Sequence, residues 1–171
     1  MIYGKENREE HYNQEQYNYS IRLLDIIKRY ADQQDSILEI GSSFGRNLEI
    51  LQDNGFKNLT GLDPDENAIK GMRAGIKGIV GTMQEKLKDM PQYDIVFTKS
   101  VLYLTKNPNF REIVNKVKKF LIVSEGETIP LEKDSFLQNR NYKEIFEQYG
   151  LKQIEEQEGL FPYHKIRIFK C

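Results

Sequence analysis

Ser36-Ile37-Leu38-Glu39-Ile40-Gly41-Ser42-Ser43-Phe44-Gly45-Arg46-Asn47-Leu48 is the stretch whose reading decides the fold. A short apolar strand ends in an acid, turns through two glycines and enters a helix directly. Leu59-Thr60-Gly61-Leu62-Asp63 follows as a second strand ending in an acid. Strand, glycine turn, helix and acid-terminated strand is the plan by which a doubly wound sheet holds a nucleoside cofactor.

Working outward, strands and helices keep alternating. Helices are expected from Gly45 to Asp53 and from Glu66 to Arg73, the second entered through Asp63-Pro64-Asp65. Lys77 to Gly81 reads as a short strand, and Tyr93 to Thr98 as one buried on both faces. Phe110, Ile113, Val114, Val117 and Phe120 fall at helical spacing and predict a helix running into the strand Leu121 to Glu125. Gly126 to Asn139 reads as an insert, Asn141 to Tyr149 as a helix stopped by Gly150, and Leu151–Glu156 with His164–Phe169 as a closing hairpin. Upstream, Tyr17, Ile21, Leu24, Ile27 and Ala31 mark an amphipathic helix ending near Tyr30. The expected fold is α/β and doubly wound: a seven-stranded, mostly parallel sheet with an antiparallel C-terminal hairpin strand and an N-terminal helical cap. One domain is expected over 1–171, with the cap at 1–35 and the core at 36–171.

Composition narrows the function. Lys plus Arg number 25 against 26 Asp plus Glu, a formal net charge of −1, so there is no clear nucleic-acid footprint. The single cysteine, Cys171, forms no internal disulfide or cysteine zinc cluster and suits a reducing, cytoplasmic setting; no metal is expected. Met1-Ile2-Tyr3-Gly4 leads into a charged stretch rather than an apolar one, so no secretory signal is expected, and no apolar run approaches a bilayer span.

Ligands in open α/β sheets sit outside the carboxyl ends of the strands. At the first end, Gly41 and Gly45 admit close backbone approach, and the helix start beyond them favours an anion. Glu39 repels a pyrophosphate but attracts an ammonium, so a ligand carrying both charges, such as an amino-acid moiety, satisfies the whole loop. At the second end, the Asp63 carboxylate can accept both hydroxyls of a ribose. The third offers Gly81-Thr82-Met83, and the fourth Thr98-Lys99-Ser100. Each has a plainer explanation: glycines can serve only the turn, Asp63 can be only a helix cap, and Glu39 can be solvated. Their joint register with the sheet order favours the cofactor.

These blocks, with Tyr93-Asp94-Ile95-Val96-Phe97 and Ser100-Val101-Leu102-Tyr103-Leu104, resemble the class I S-adenosylmethionine-dependent methyltransferases over roughly Ser36 to Glu125. The resemblance implies S-adenosylmethionine as cofactor. It places Glu39, Gly41, Ser42, Ser43 and Gly45 around the methionine part, Asp63 on the ribose and Pro64 against the adenine. Thr82 and Met83 would meet the adenine edge, and Lys99 would lie where the strand end meets the methionyl group. The chain departs from the pattern at Ser43, where a glycine is usual, and at Thr82, where an acid is common.

Methyl transfer from a sulfonium asks mainly for alignment and exclusion of water. An oxygen acceptor would want a base, for which His11, His164, Glu125 and Tyr103 are candidates, Tyr103 the best placed. Tyr12, Tyr17 and Tyr19 could close over the cofactor, although Tyr17 can equally pack within its helix. Asn107-Pro108-Asn109-Phe110 resembles the Asn-Pro-Pro-aromatic motif of nucleic-acid amino-methyltransferases but lacks the second proline and the position, and reads as a helix entry capped by Asn107. Lys106, Arg111, Lys116, Lys118 and Lys119 would make the following helix basic. The expected activity is methyl transfer to a small-molecule acceptor, since the chain leaves no room for a separate recognition domain. A cofactor-binding or regulatory module without turnover is the alternative.

Overall fold

A computed structural model of the chain describes residues 14–130, 135, 137–159 and 162–171. His11 and Tyr12 lie outside the described residues. The chain runs α1 (Gln14–Tyr30), β1 (Ser36–Ile40), α2 (Arg46–Asp53), β2 (Asn58–Asp63), α3 (Glu66–Lys70), β3 (Lys77–Val80) and α4 (Met83–Lys86). It continues through β4 (Tyr93–Lys99), α5 (Phe110–Asn115), β5 (Val117–Gly126), α6 (Tyr142–Gln148), β6 (Lys152–Glu158) and β7 (His164–Lys170). The seven strands form one sheet in the order β3-β2-β1-β4-β5-β7-β6. β1 to β5 are mutually parallel, and β7 runs antiparallel to both β5 and β6. The chain leaves β1 towards one edge and returns to β4 on its other side, so the topological switch falls at the carboxyl ends of β1 and β4.

Strand alternation sorts the interior into two apolar layers. Ile37, Ile95, Phe97, Ile122, Ile166 and Ile168 face Leu23, Leu24, Ile26 and Ile27 of α1 and Leu48 and Leu51 of α2. Leu38, Val96, Leu121, Val123 and Phe169 face the other layer, with Ile113 of α5 and Tyr142 and Phe146 of α6. Basic Lys28 and Arg29 in the last turn of α1 suit the negative end of its dipole. The outer strand β6 alternates exposed and half-buried residues and carries Glu155, Glu156 and Glu158, charges that discourage edge-to-edge pairing.

The region after β4 differs from its helical reading. α5 spans only Phe110–Asn115, and β5 already begins at Val117. Val117 and Phe120 fit a helical period, but cross-strand pairing of Val117 with Tyr93 and of Phe120 with both Ile95 and Lys170 takes these residues into the sheet. Lys116 is the C-cap of the helix, and its Nζ donates to the Lys88 and Met90 carbonyls at 3.1 and 2.7 Å. The cap of α5 is Asn109, not Asn107: its side chain accepts from the Glu112 N–H. The expected basic helix face therefore does not form. Of its lysines, Lys116 is buried on carbonyls, and Lys119 on β5 pairs with Asp35 at 2.5 Å. α3 is also shorter than expected, ending at Lys70 rather than Arg73.

Candidate cofactor site

Between β1 and α2 the backbone enters the left-handed region three times in five residues, at Gly41 (φ 76°), Ser43 (φ 47°) and Gly45 (φ 80°). Gly41 is required twice over, because a Cβ there would also lie 2.0 Å from Val101 Cγ2. Ser43 holds the same kind of conformation without being glycine, and its N–H donates to Asp63 Oδ2 at 2.8 Å. The Gly41 N–H donates to the Leu62 carbonyl at 2.7 Å, tying the loop to the neighbouring strand. Ser42 is buried, and its hydroxyl has no hydrogen-bond partner among the described residues. Gly45 opens α2 without a side-chain cap.

Asp63 is not the cap of α3. Asp65 does that work, accepting from the Asn67 and Ala68 N–H groups at 2.8 and 3.2 Å. Asp63 instead bridges two loops, with Oδ2 on Ser43 and Oδ1 accepting from the Asp65 N–H at 2.9 Å. Pro64 is exposed beside it, and so is Val80, 40% accessible at the end of β3 and in register with Asp63. Val80 carries no sequence signal as a site residue, since a valine in a strand reads as core. The Thr82 hydroxyl is engaged in a capping box, donating to Glu85 Oε2 at 2.9 Å and accepting from the Glu85 N–H at 3.3 Å. Met83 belongs to the buried core with Leu62, Leu87 and Met90, so it backs this edge of the sheet.

The same alternation that builds the core puts Glu39, Lys99 and Ser124 on the α1 face at the carboxyl ends of β1, β4 and β5. Glu39 is 1% exposed. Its Oε1 accepts from Asn47 Nδ2 at 2.5 Å, while Oε2 has no partner among the described residues. Burial pushes its pKa up to about 8, against the opposing influence of Asn47, Lys99 and Arg46. Burial also draws Lys99 down to about 8, helped by the nearby Arg46. The Lys99 ammonium lies 4.6 Å from the centroid of the Tyr19 ring. Tyr19 is fully buried and hydrogen-bonds through its hydroxyl to Ser124, whereas Tyr17 is 44% exposed. Of Tyr17 and Tyr19, it is Tyr19 that packs at this end of the sheet, against Lys99 and Ser124. Ser20 beside it bonds to Asn47, a link between α1 and α2 that no sequence motif announces.

Further along the edge, Tyr103 and His164 meet edge to face, with centroids 5.3 Å apart and planes at 80°. Burial lowers the His164 pKa, with Lys99 adding to the effect. Glu125 is not placed as a base. Its carboxylate accepts from the N–H groups of Val101, Leu102 and Tyr103 at 2.9, 3.0 and 3.5 Å and is wholly buried. Arg140 grips the far end of the same segment, donating to the Leu102, Thr105 and Lys106 carbonyls. Among the described residues no group of His, Cys, Asp and Glu is arranged to hold a metal ion, and no helix is long and apolar enough to cross a membrane.

Residues 38–123 match a family model described as a methyltransferase domain. No curated protein matches the chain by sequence. Among solved structures, a SAM-dependent methyltransferase from Archaeoglobus fulgidus superposes with a TM-score of 0.70 at 15% identity, covering 89% of this chain and 94% of that one. Magnesium protoporphyrin IX methyltransferase from Synechocystis PCC 6803 with bound SAM gives 0.68 at 12% identity over 91% and 78% of the two chains. A TehB-like SAM-dependent methyltransferase from Corynebacterium glutamicum gives 0.68 at 17% identity over 88% and 85%. At such identities the likeness is one of fold.

Proposed function

The chain belongs to the methyltransferase-domain family, and from that premise we propose that it binds S-adenosylmethionine at the β1–α2 loop and transfers its methyl group to a small-molecule acceptor. The observation that carries this reading is Glu39: a buried carboxylate with one oxygen bonded to Asn47 and the other without a partner among the described residues. A buried acceptor left open is costly, and an ammonium donor would satisfy it. A pyrophosphate brought to the same place would meet a carboxylate, which disfavours a dinucleotide.

When bound, S-adenosylmethionine supplies a methyl group on a sulfonium, whose leaving group needs no further activation. The chain's residues then have to bind, orient and keep out water. Glu39 would take the ammonium, and the backbone of Gly41, Ser42, Ser43 and Gly45 would surround the methionine part. Asp63 would accept the ribose hydroxyls beside the N–H groups of Ser43 and Asp65, a carboxylate having acceptor sites on both oxygens. Pro64 and Val80 would flank the adenine, with Thr82 at its edge and Met83 supporting from below. Lys99 and Tyr19 would close the methionyl end, and Tyr103 with His164 would face the acceptor. A compact acceptor is in keeping with the near-neutral charge of the chain and with the dispersal of two of its lysines, Lys116 buried on carbonyls and Lys119 paired with Asp35.

Calorimetric titration with S-adenosylmethionine and S-adenosylhomocysteine tests this, with NAD as control and Asp63→Ala alongside. The expected result is micromolar binding of both sulfur compounds, none of NAD, and loss of binding in a folded Asp63→Ala protein. Absence of binding to either sulfur compound overturns the reading.

A further inference from the structure

Ser20, Arg46, Asn47 and Glu39 form a buried chain of hydrogen bonds across three elements, α1, α2 and β1. Arg46 Nε donates to Ser20 Oγ at 3.1 Å, Ser20 Oγ donates to Asn47 Oδ1 at 2.5 Å, and Asn47 Nδ2 donates to Glu39 Oε1 at 2.5 Å. The direction is fixed from both ends, since the guanidinium has only donors and an ionised carboxylate only acceptors. Glu39 Oε1 takes the amide N–H, which turns Asn47 Oδ1 towards Ser20, and the hydroxyl gives its proton to that oxygen while accepting from Arg46. With the amide turned over, its oxygen would face a carboxylate oxygen, an arrangement tolerated only when Glu39 is protonated and donates.

We propose that Ser20 is a positioning residue for Glu39: by fixing the amide of Asn47 it keeps a donor on the carboxylate and so favours the ionised form that an ammonium requires. The proposal rests on the cofactor reading above for its ligand but not for its geometry. Ser20 lies on α1, outside the 38–123 stretch shared with the family model, so the N-terminal cap reaches the cofactor acid through this chain. The charged groups facing Glu39 are Lys99 from β4, Arg46 from α2 and Asp63 from β2, and Tyr19 of α1 covers Lys99. Asn47 favours the ionised Glu39 against its burial, so loosening Asn47 should move the Glu39 titration further upward.

The test compares wild type, Ser20→Ala and Ser20→Thr by two measurements. The first is S-adenosylmethionine affinity across the Glu39 titration, about pH 6 to 10. The second is the Glu39 carboxyl titration in cofactor-free protein by carbon NMR, with Glu39→Gln assigning the signal. Wild-type affinity should rise with pH as Glu39 ionises and fall again once the ligand's ammonium loses its proton, so each variant is read as a ratio to wild type at the same pH. Ser20→Ala should bind about tenfold more weakly than wild type at the low end of the range and approach wild type at the high end, as an upward move of the Glu39 titration by about one unit requires. Ser20→Thr, which keeps the hydroxyl, should follow wild type. The titration of the ligand and of Lys99 is common to all three proteins and cancels in the comparison. A loss of affinity that is equal at every pH, or a Glu39 titration unmoved in cofactor-free Ser20→Ala, overturns the proposal while leaving the cofactor reading intact. If wild type binds no S-adenosylmethionine, the cofactor reading fails, and the NMR titration still decides whether Ser20 governs Glu39.

Discussion

Two glutamates close two strands on opposite faces of the sheet: Glu39 is the last residue but one of β1, and Glu125 the last but one of β5. Both are wholly or almost wholly buried, and burial raises both, Glu39 to about 8 and Glu125 to about 7. Their partners differ. Glu125 is surrounded by the backbone N–H groups of the Val101 to Tyr103 turn, and Glu39 keeps an oxygen without a partner among the described residues. Equal burial and equal chemistry thus serve two purposes. At β5 the carboxylate holds a turn of the fold; at β1 one oxygen is left open at the end of the strand where we propose the cofactor binds. A buried acid is informative about function only once its hydrogen bonds have been counted.

The contrast is most easily broken at Glu125. Glu125→Ala strands several buried N–H groups and should cost about 3 kcal/mol, a fall in Tm of roughly 6–12 °C for a chain of this size. Thermal melts at neutral pH check it, and a melt unchanged from wild type would mean the carboxylate is not holding the turn. Glu39→Gln should do the opposite. A folded-state pKa raised above the unfolded value makes stability fall as pH rises, here between about 4.5 and about 8, because the unfolded chain has lost a proton that the folded protein retains. Removing the charge therefore leaves the melt unchanged at low pH and raises it progressively up to about pH 8, by up to about 1.4 kcal/mol, or roughly 3–6 °C, for each unit by which the folded pKa exceeds the unfolded one, while cofactor binding weakens. Gain of stability with loss of ligand is the signature of a binding acid; a destabilised Glu39→Gln protein would put Glu39 in the same class as Glu125. The smallest effect is expected at Ser43. A non-glycine residue at φ 47° is strained by about 1 kcal/mol, and glycine relieves this at a similar cost in unfolded-chain entropy. Ser43→Gly should leave Tm within about 2 °C and affinity nearly unchanged, because the Ser43 N–H to Asp63 bond is made by backbone. A tenfold change in affinity by calorimetry would show that the side chain itself shapes the loop.

Legibility followed range along the chain. Glycine turns, acid-terminated strands and the closing hairpin declare themselves within a few residues, and all were readable. The run from Phe110 to Phe120 was not, because Val117 and Phe120 satisfy a helical period and only their strand partners Tyr93, Ile95 and Lys170 decide otherwise. Asn107 and Asn109 are equally good caps on paper, and the helix begins after the second. Glu125 looked like a base because an acid at a strand end is a sound candidate, and the three N–H groups that occupy it lie more than twenty residues away in sequence. Ser20 and Val80 had no local signal at all.

The sequence by itself determined the order of the strands and of the helices other than the short Met83–Lys86 one, the doubly wound plan and the loop at Gly41 to Gly45, since each depends on short-range periodicity and on backbone conformations that few residues tolerate. Tertiary structure alone decided which polar groups meet. Asp63 came to Ser43 rather than to a helix end, Glu125 to a turn, and Ser20 through Asn47 to Glu39, because a hydrogen bond across elements depends on packing and register that no local pattern encodes.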